Sequence, residues 1–219
     1  MRARQGYDKE LAELQRDILR MGSLVESAID DAVQSLAQQD VELAEKVIAG
    51  DAQINNLRRD IEDHCMVLIA TQQPIAKDLR RIGSAISIVT DLERMADHAR
   101  DIAKITKRMA AEALIKPLID IPKMARLAQN MVRSVLDSYV KGDVEMAQLA
   151  CKGDDEIDHL SKSVYNELVE IMQRDANTIP QATHLLFVAR YLERIADRAT
   201  NIGEGVMYLE TGERKDLNQ

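Results

Sequence analysis

Apolar residues recur three and four positions apart along most of this chain. Leu11, Leu14, Ile18, Met21, Val25 and Ile29 form one stripe; Ile61, Leu68 and Ile69 continue a second; Ile82, Ile86, Val89, Met95 and Ile102 form a third. That spacing puts the stripe on one face of an α-helix. No period-two run suggests a strand. Punctuation is sparse. Pro74, Pro117, Pro122 and Pro180 mark helix boundaries, because the residue before a proline avoids the helical region.

The pattern is made twice. "DLERMADHARDI" at 91–102 and "YLERIADRATNI" at 191–202 share seven of twelve residues at an offset of 100. Upstream, "GDAQINNL" at 50–57 resembles "GDDEIDHL" at 153–160, and "DVELAEKVI" at 40–48 resembles "DVEMAQLAC" at 143–151. There the offset is 103, and a loop three residues shorter near Pro180 would reconcile the two values. Each half reads as helix, Asp-containing turn, long helix, Pro-containing loop, long helix. Long antiparallel helices joined by short loops pack as bundles. The expected fold is all-α: two tandem, pseudo-symmetric three-helix bundles, residues 1–113 and 114–219. The break lies in the apolar stretch "ALIKPLIDIP" at 113–122, whose character suggests halves that pack together rather than swing on a polar tether.

The duplicated segment carries a file of like charges. At about 100° per residue, with Leu92 at zero, Met95, Ala96, Ala99 and Ile102 gather on the core side. Glu93, Asp97 and Asp101 climb one flank at about 100°, 140° and 180°. The acids therefore point off the core, onto an outer wall. In the second copy Glu193 and Asp197 hold the same places, Asn201 replaces the third acid and Glu204 rejoins the file one turn later. Arg190, Arg194 and Arg198 lie near it, so the second file is better supplied with positive charge. Acids four residues apart repel. A solvated wall trimmed by arginine pairs at spacing three explains one such file. Its survival in both diverged halves points instead to a shared cation. An all-oxygen set suits magnesium, manganese, calcium or iron, whereas structural zinc wants Cys or His. Such a file needs further ligands from another helix or another subunit; Asp51, Asp154, Asp155 and Asp158 lie at the start of the second helix of each half, and the sequence does not place them beside it.

Composition narrows the function. The net charge of −8 argues against bulk nucleic acid, which needs clustered Lys and Arg. No Trp, one Phe and five Tyr leave little platform for stacking bases. The N-terminus is charged and no apolar leader or membrane-spanning run follows, so a cytoplasmic protein is expected. Cys65 and Cys151 lack CxxC partners and read as packed thiols. No phosphate-cradling GxxxxGK[ST] and no GxSxG occur. Glu156 with His159 is the single Glu-x-x-His, where a di-iron carboxylate enzyme needs two. His64, His98 and His184 show no triad arrangement.

Two LERxADxA segments in register, "QQPIAKDLRRI" before the first, GDxxI(N/D)xL opening each second helix and "MGSLVESAID" in the first helix resemble the PhoU family of phosphate-transport regulatory proteins. The resemblance covers nearly the whole chain. It implies metal at the E(D)xxxD motifs, carried over to Glu93 with Asp97 and Glu193 with Asp197, with Asp101 added by geometry. Iron is the metal it favours; magnesium, manganese or zinc are the alternatives. It further implies a negative regulator of phosphate homeostasis and no enzyme. The partners it implies are the ATPase subunit of a phosphate ABC transporter and a sensor histidine kinase. Membrane contact would come only through these partners, and the state would be a homodimer. A carboxylate-metal oxidase and a metal-free structural protein are the competing readings.

Overall fold

A computed structural model describes residues 2–214. It consists of α1 (Arg2–Gln38), α2 (Val41–Gln72), α3 (Ala76–Met109), α4 (Asp120–Lys141), α5 (Val144–Cys151), α6 (Gly153–Arg174) and α7 (Ile179–Thr211), with one 3-10 turn at Ala176–Thr178. No strand occurs among the described residues.

The helix breaks follow from local chemistry repeated in both halves. Asp40 caps α2, its Oδ1 accepting from the Leu43 amide at 3.0 Å, and Asp143 caps α5 by accepting from the Met146 amide at 2.9 Å. The residue before each cap is left-handed: Gln39 at φ 54° and Gly142 at φ 65°. Glycine takes that conformation without strain. Gln39 is held there by its side-chain amide, which donates to the carbonyls of Met109 and Glu112 at the end of α3. Buried Ser35 and Ser138, one turn earlier, each donate to the carbonyl three residues back.

Helix α3 packs against α1, α2 and α7, and α7 packs against α3, α4, α5 and α6. α1 also meets α4, so α1, α3, α7 and α4 form a ring of four, flanked by α2 on one side and α5–α6 on the other. One hydrophobic core runs through both halves, from Leu14, Ile18 and Met21 in α1 to Leu192, Ile202 and Val206 in α7. The segment between α3 and α4 joins it: Leu114, Ile115 and Leu118 pack on the core. Buried Gln181 of α7 clamps that segment, accepting from the Ile115 amide at 2.6 Å and donating to the Ala113 carbonyl at 3.0 Å.

Two cross-pairs display the pseudo-symmetry of the α3–α7 seam. Arg198 Nη1 donates to Asp91 Oδ1 at 3.2 Å, and His98 stacks on Tyr191 with centroids 5.4 Å apart. These positions exchange under the repeat: 91 matches 191, and 98 matches 198. The two helices therefore cross antiparallel about a local twofold axis.

Two details of the repeat differ from the sequence pattern. The second helix of the second half is interrupted at Lys152, between α5 and α6. A side chain at Gly153 would stand 2.9 Å from Met131 Cγ, so α4 approaches the backbone there. The three-residue difference between offsets also lies in a helix rather than in the loop. α3 starts at Ala76 and α7 at Ile179, so relative to Leu92 and Leu192 the later helix is three residues shorter at its start. Pro180 sits in that first turn, where its missing N–H costs nothing.

Two glycines give opposite expectations. A Cβ on Gly203 would lie 2.4 Å from Cys151 Sγ and 3.5 Å from the Ala147 carbonyl oxygen, whereas one on Gly50 meets nothing within 4 Å. In urea unfolding, Gly203→Val should lose about 1–3 kcal/mol by overpacking. Gly50→Ala, in mid-helix, should gain about 0.5–1 kcal/mol.

Candidate metal centres in two acidic grooves

The core stripe lies where the helical angles put it: Leu92, Met95, Ala96, Ala99 and Ile102 are buried, as are Leu192, Ile195, Ala196, Ala199 and Ile202. The acids lie beside it but not on a bare wall. Glu93, Asp97 and Asp101 keep 13%, 21% and 33% of their side-chain surface. α2 packs along their flank, so the file lines a groove between two helices. The angles of α3 alone carry no information about that neighbour.

In this first groove arginines are interleaved with the acids. Arg58 of α2 reaches Glu93 at 3.1 Å. Arg100 Nη1 lies 2.7 Å from Asp51 Oδ2 and 2.9 Å from Asp97 Oδ1, tying the helices together. Asn55 donates to Asp51 at 2.9 Å, Arg94 borders Asp97 at 3.4 Å, and Lys104 holds Asp101 at 2.8 Å. Even so, Asp51 Oδ1 and Glu93 Oε2 are buried without a hydrogen-bond partner.

The second groove, between α6 and α7, repeats the acids at the positions of Asp51, Glu93 and Asp97 with fewer cations. Across the repeat Ser161 stands for Arg58, Thr200 for Arg100 and Asp158 for Asn55. Ser161 Oγ donates to Glu193 at 3.0 Å, Arg190 pairs with Glu193, and Arg194 lies 3.2 Å from Asp197. Arg198 turns away, across the seam to Asp91. The second copy is thus the more acidic groove, the reverse of the order that α7 alone suggests. Burial, followed by the charges of Asp158, Asp197, Asp155 and Glu193, pushes the Asp154 carboxyl up to about 6. Asp158 is raised too, by burial and then by Glu193, Asp197 and Asp155, with Arg190 opposing. Asp154 Oδ1 is buried and lacks a hydrogen-bond partner.

The donor set suits a hard cation, since it is all carboxylate oxygen and each groove holds orphaned oxygen atoms. As the side chains stand, no group of three or more His, Cys, Asp or Glu among the described residues is arranged to hold a metal ion. Binding would need side-chain rotation in the second groove and displacement of Arg58 and Arg100 in the first. Asn201 and Glu204 both line the α3–α7 seam with Asp91 and Arg198. Arg58 on α2 was the residue that patterning along α3 missed, and the offset of 103 could have found it, because it pairs Arg58 with Ser161.

Other chemistry-bearing residues have structural partners. Glu156 is exposed and pairs with Lys123 at 2.8 Å, so the lone Glu-x-x-His faces outward. His64 Nε2 lies 2.9 Å from Glu10. Cys65 and Cys151 are buried free thiols, each pushed up to about 11 by burial, which makes them poor nucleophiles. No helix among the described residues is long and apolar enough to cross a membrane.

The PhoU domain matches residues 18–106 and 121–206. A phosphate-specific transport system accessory protein PhoU homolog from Clostridium acetobutylicum is 44% identical over 98% of this chain and 99% of its own. A homolog of the same description from Aquifex aeolicus is 42% identical over 94% and 93%. The crystal structure of PhoU from Pseudomonas aeruginosa superposes with a TM-score of 0.90 at 34% identity, covering 94% of this chain and all of that one. The phosphate transport system regulatory protein PhoU from Streptococcus pneumoniae gives the same score and identity over 96% of this chain.

The raised Asp154 sets a pH signature. Between its ordinary value of 3.8 and about 6, the folded protein holds a proton that the unfolded chain releases. Above that window, ionisation inside the groove opposes folding. Asp154→Asn should therefore raise the melting temperature at about pH 8, and the gain should vanish at about pH 4. Thermal unfolding across that range checks it. A gain independent of pH would mean that Asp154 is not held among its acidic neighbours.

Proposed function

The chain belongs to the PhoU domain family, and from that premise we propose that it is an accessory protein of a phosphate-specific transport system. In this reading it restrains phosphate uptake and starvation signalling by joining the ATPase subunit of the transporter to a sensor histidine kinase. It has no reaction of its own, works in the cytoplasm and pairs as a homodimer. The observation that carries the transport role is the match to relatives so described over nearly the full length of both chains.

We further infer that the acidic grooves bind a divalent cation, iron by preference, with magnesium, manganese or zinc as substitutes. Glu193 and Asp197, with Asp154 and Asp158 across the groove, would hold it in the second half. Glu93, Asp97 and Asp101, with Asp51, would hold it in the first. Bound there, the cation would neutralise clustered carboxylates and clamp the second helix of each half to the third. The orphaned Asp154 oxygen supports the second groove as the tighter site. Arg58 and Arg100 compete with a cation in the first.

Elemental analysis of protein purified without chelator tests the metal. Glu193→Ala/Asp197→Ala should remove more metal than Glu93→Ala/Asp97→Ala. Equal metal in both variants and wild type would remove the assignment. For the adaptor role, co-purification with the transporter ATPase subunit at high phosphate is expected, and its absence would sink that half of the proposal.

A further inference from the structure

One cavity lies outside both acidic grooves. It is a cleft of about 810 Å³ along the α3–α7 seam, within the range typical of small-molecule sites. Its existence follows from divergence of the repeat. On the opposite side of the local twofold axis, Phe187, Tyr191 and His98 stack in a row. On the cleft side the matching positions are Ser87, Asp91 and Arg198. Polar, non-aromatic side chains stand where the other side has rings, and the open space is lined by Ser84, Ser87, Thr90 and Asn201.

The cleft is locally basic in a chain of net charge −8. Arg80, Arg198 and Arg214 line it against two carboxylates, Asp91 and Glu204. Asp91 is committed to Arg198 at 3.2 Å. Arg214 lies over the Tyr208 ring, 5.1 Å from its centroid. Arg80 is half-buried and its Nε is shielded from solvent without a hydrogen-bond partner. It makes no ion pair among the described residues. A shielded Nε without an acceptor is costly, and the planar guanidinium fork suits a phosphate or a carboxylate. α3 begins at the rim with Ala76 and no side-chain cap, which adds uncapped amides near the same end. Leu79, Ile86 and the Tyr208 ring supply an apolar wall. The volume is far larger than one inorganic ion needs.

We propose that this cleft binds a small organic oxyanion. The anionic head would pair with Arg80 and Arg214, and the body would rest on Leu79, Ile86 and Tyr208. Phosphate esters and carboxylates share this head-group chemistry. The site is independent of the acidic grooves and of any metal in them.

Calorimetric titration of the full chain in a buffer free of phosphate and carboxylate tests it, with AMP, citrate and inorganic phosphate as probes. At least one organic probe should bind with Kd below about 1 mM. Binding of AMP alone identifies a phosphate ester, and binding of citrate alone a carboxylate. Arg80→Gln should weaken the bound probe by at least about tenfold. Ser87→Phe, at an exposed position, should do the same by restoring the ring found in the second copy. It keeps the test valid if Arg80→Gln unfolds. Arg126→Gln, an exposed arginine on α4, should bind as wild type does. No organic probe binding below about 10 mM would overturn the proposal. So would binding of inorganic phosphate alone, or unchanged affinity in a folded Arg80→Gln or Ser87→Phe variant.

Discussion

Everything of interest in this molecule hangs on the antiparallel contact between α3 and α7. Each of these helices is covered by partners on most sides, α3 by α1, α2 and α7 and α7 by α3, α4, α5 and α6. Their buried stripes are rich in alanine: Ala85, Ala96, Ala99 and Ala103 on one, Ala182, Ala189, Ala196 and Ala199 on the other. Small side chains let helix axes approach and bury backbone as well as side chain. With so much of each circumference enclosed, several charged residues lie in the narrow flanks where two helices meet. One flank of each helix faces α2 or α6 and holds the acids. The flank at the seam holds the cleft on one side of the local axis and the aromatic row on the other.

The acidic grooves show how one motif can serve two electrostatic states. Glu and Asp four residues apart are common to both copies, yet the neighbouring helix decides what they experience. In the first half Arg58 and Arg100 convert the file into a bridge between α2 and α3. In the second, Ser161 and Thr200 leave the charge less compensated, and the Asp154 carboxyl rises accordingly. Such a cluster is a store of unfavourable energy that proton uptake or a cation relieves. The repeat thus yields one half braced by its own arginines and one whose carboxylates are less compensated.

Much of the fold was legible along the chain. The three-and-four spacing of Leu14, Ile18, Met21, Val25 and Ile29 named a buried face, and the aspartates before α2 and α5 named their starts. Helix formation and capping are local, so nearby residues encode them. The break between α5 and α6 was not legible; it falls where Met131 of α4 packs close to Gly153. The three-residue offset was visible, but whether loop or helix absorbed it was not.

The candidate sites divide in the same way. Sequence alone determined the duplicated Glu93/Asp97 and Glu193/Asp197 pairs and their turn away from the core, since residue rotation about a helix is fixed by backbone geometry. Only the tertiary structure decided what they face. It brought Arg58 and Asp51 to one file and Asp154, Asp158 and Ser161 to the other, and so reversed which copy is the more acidic. It also decided that losing rings at Ser87, Asp91 and Arg198 opens a cleft. A side chain's charge belongs to its sequence, but its field and its empty neighbouring volume belong to whatever packs beside it.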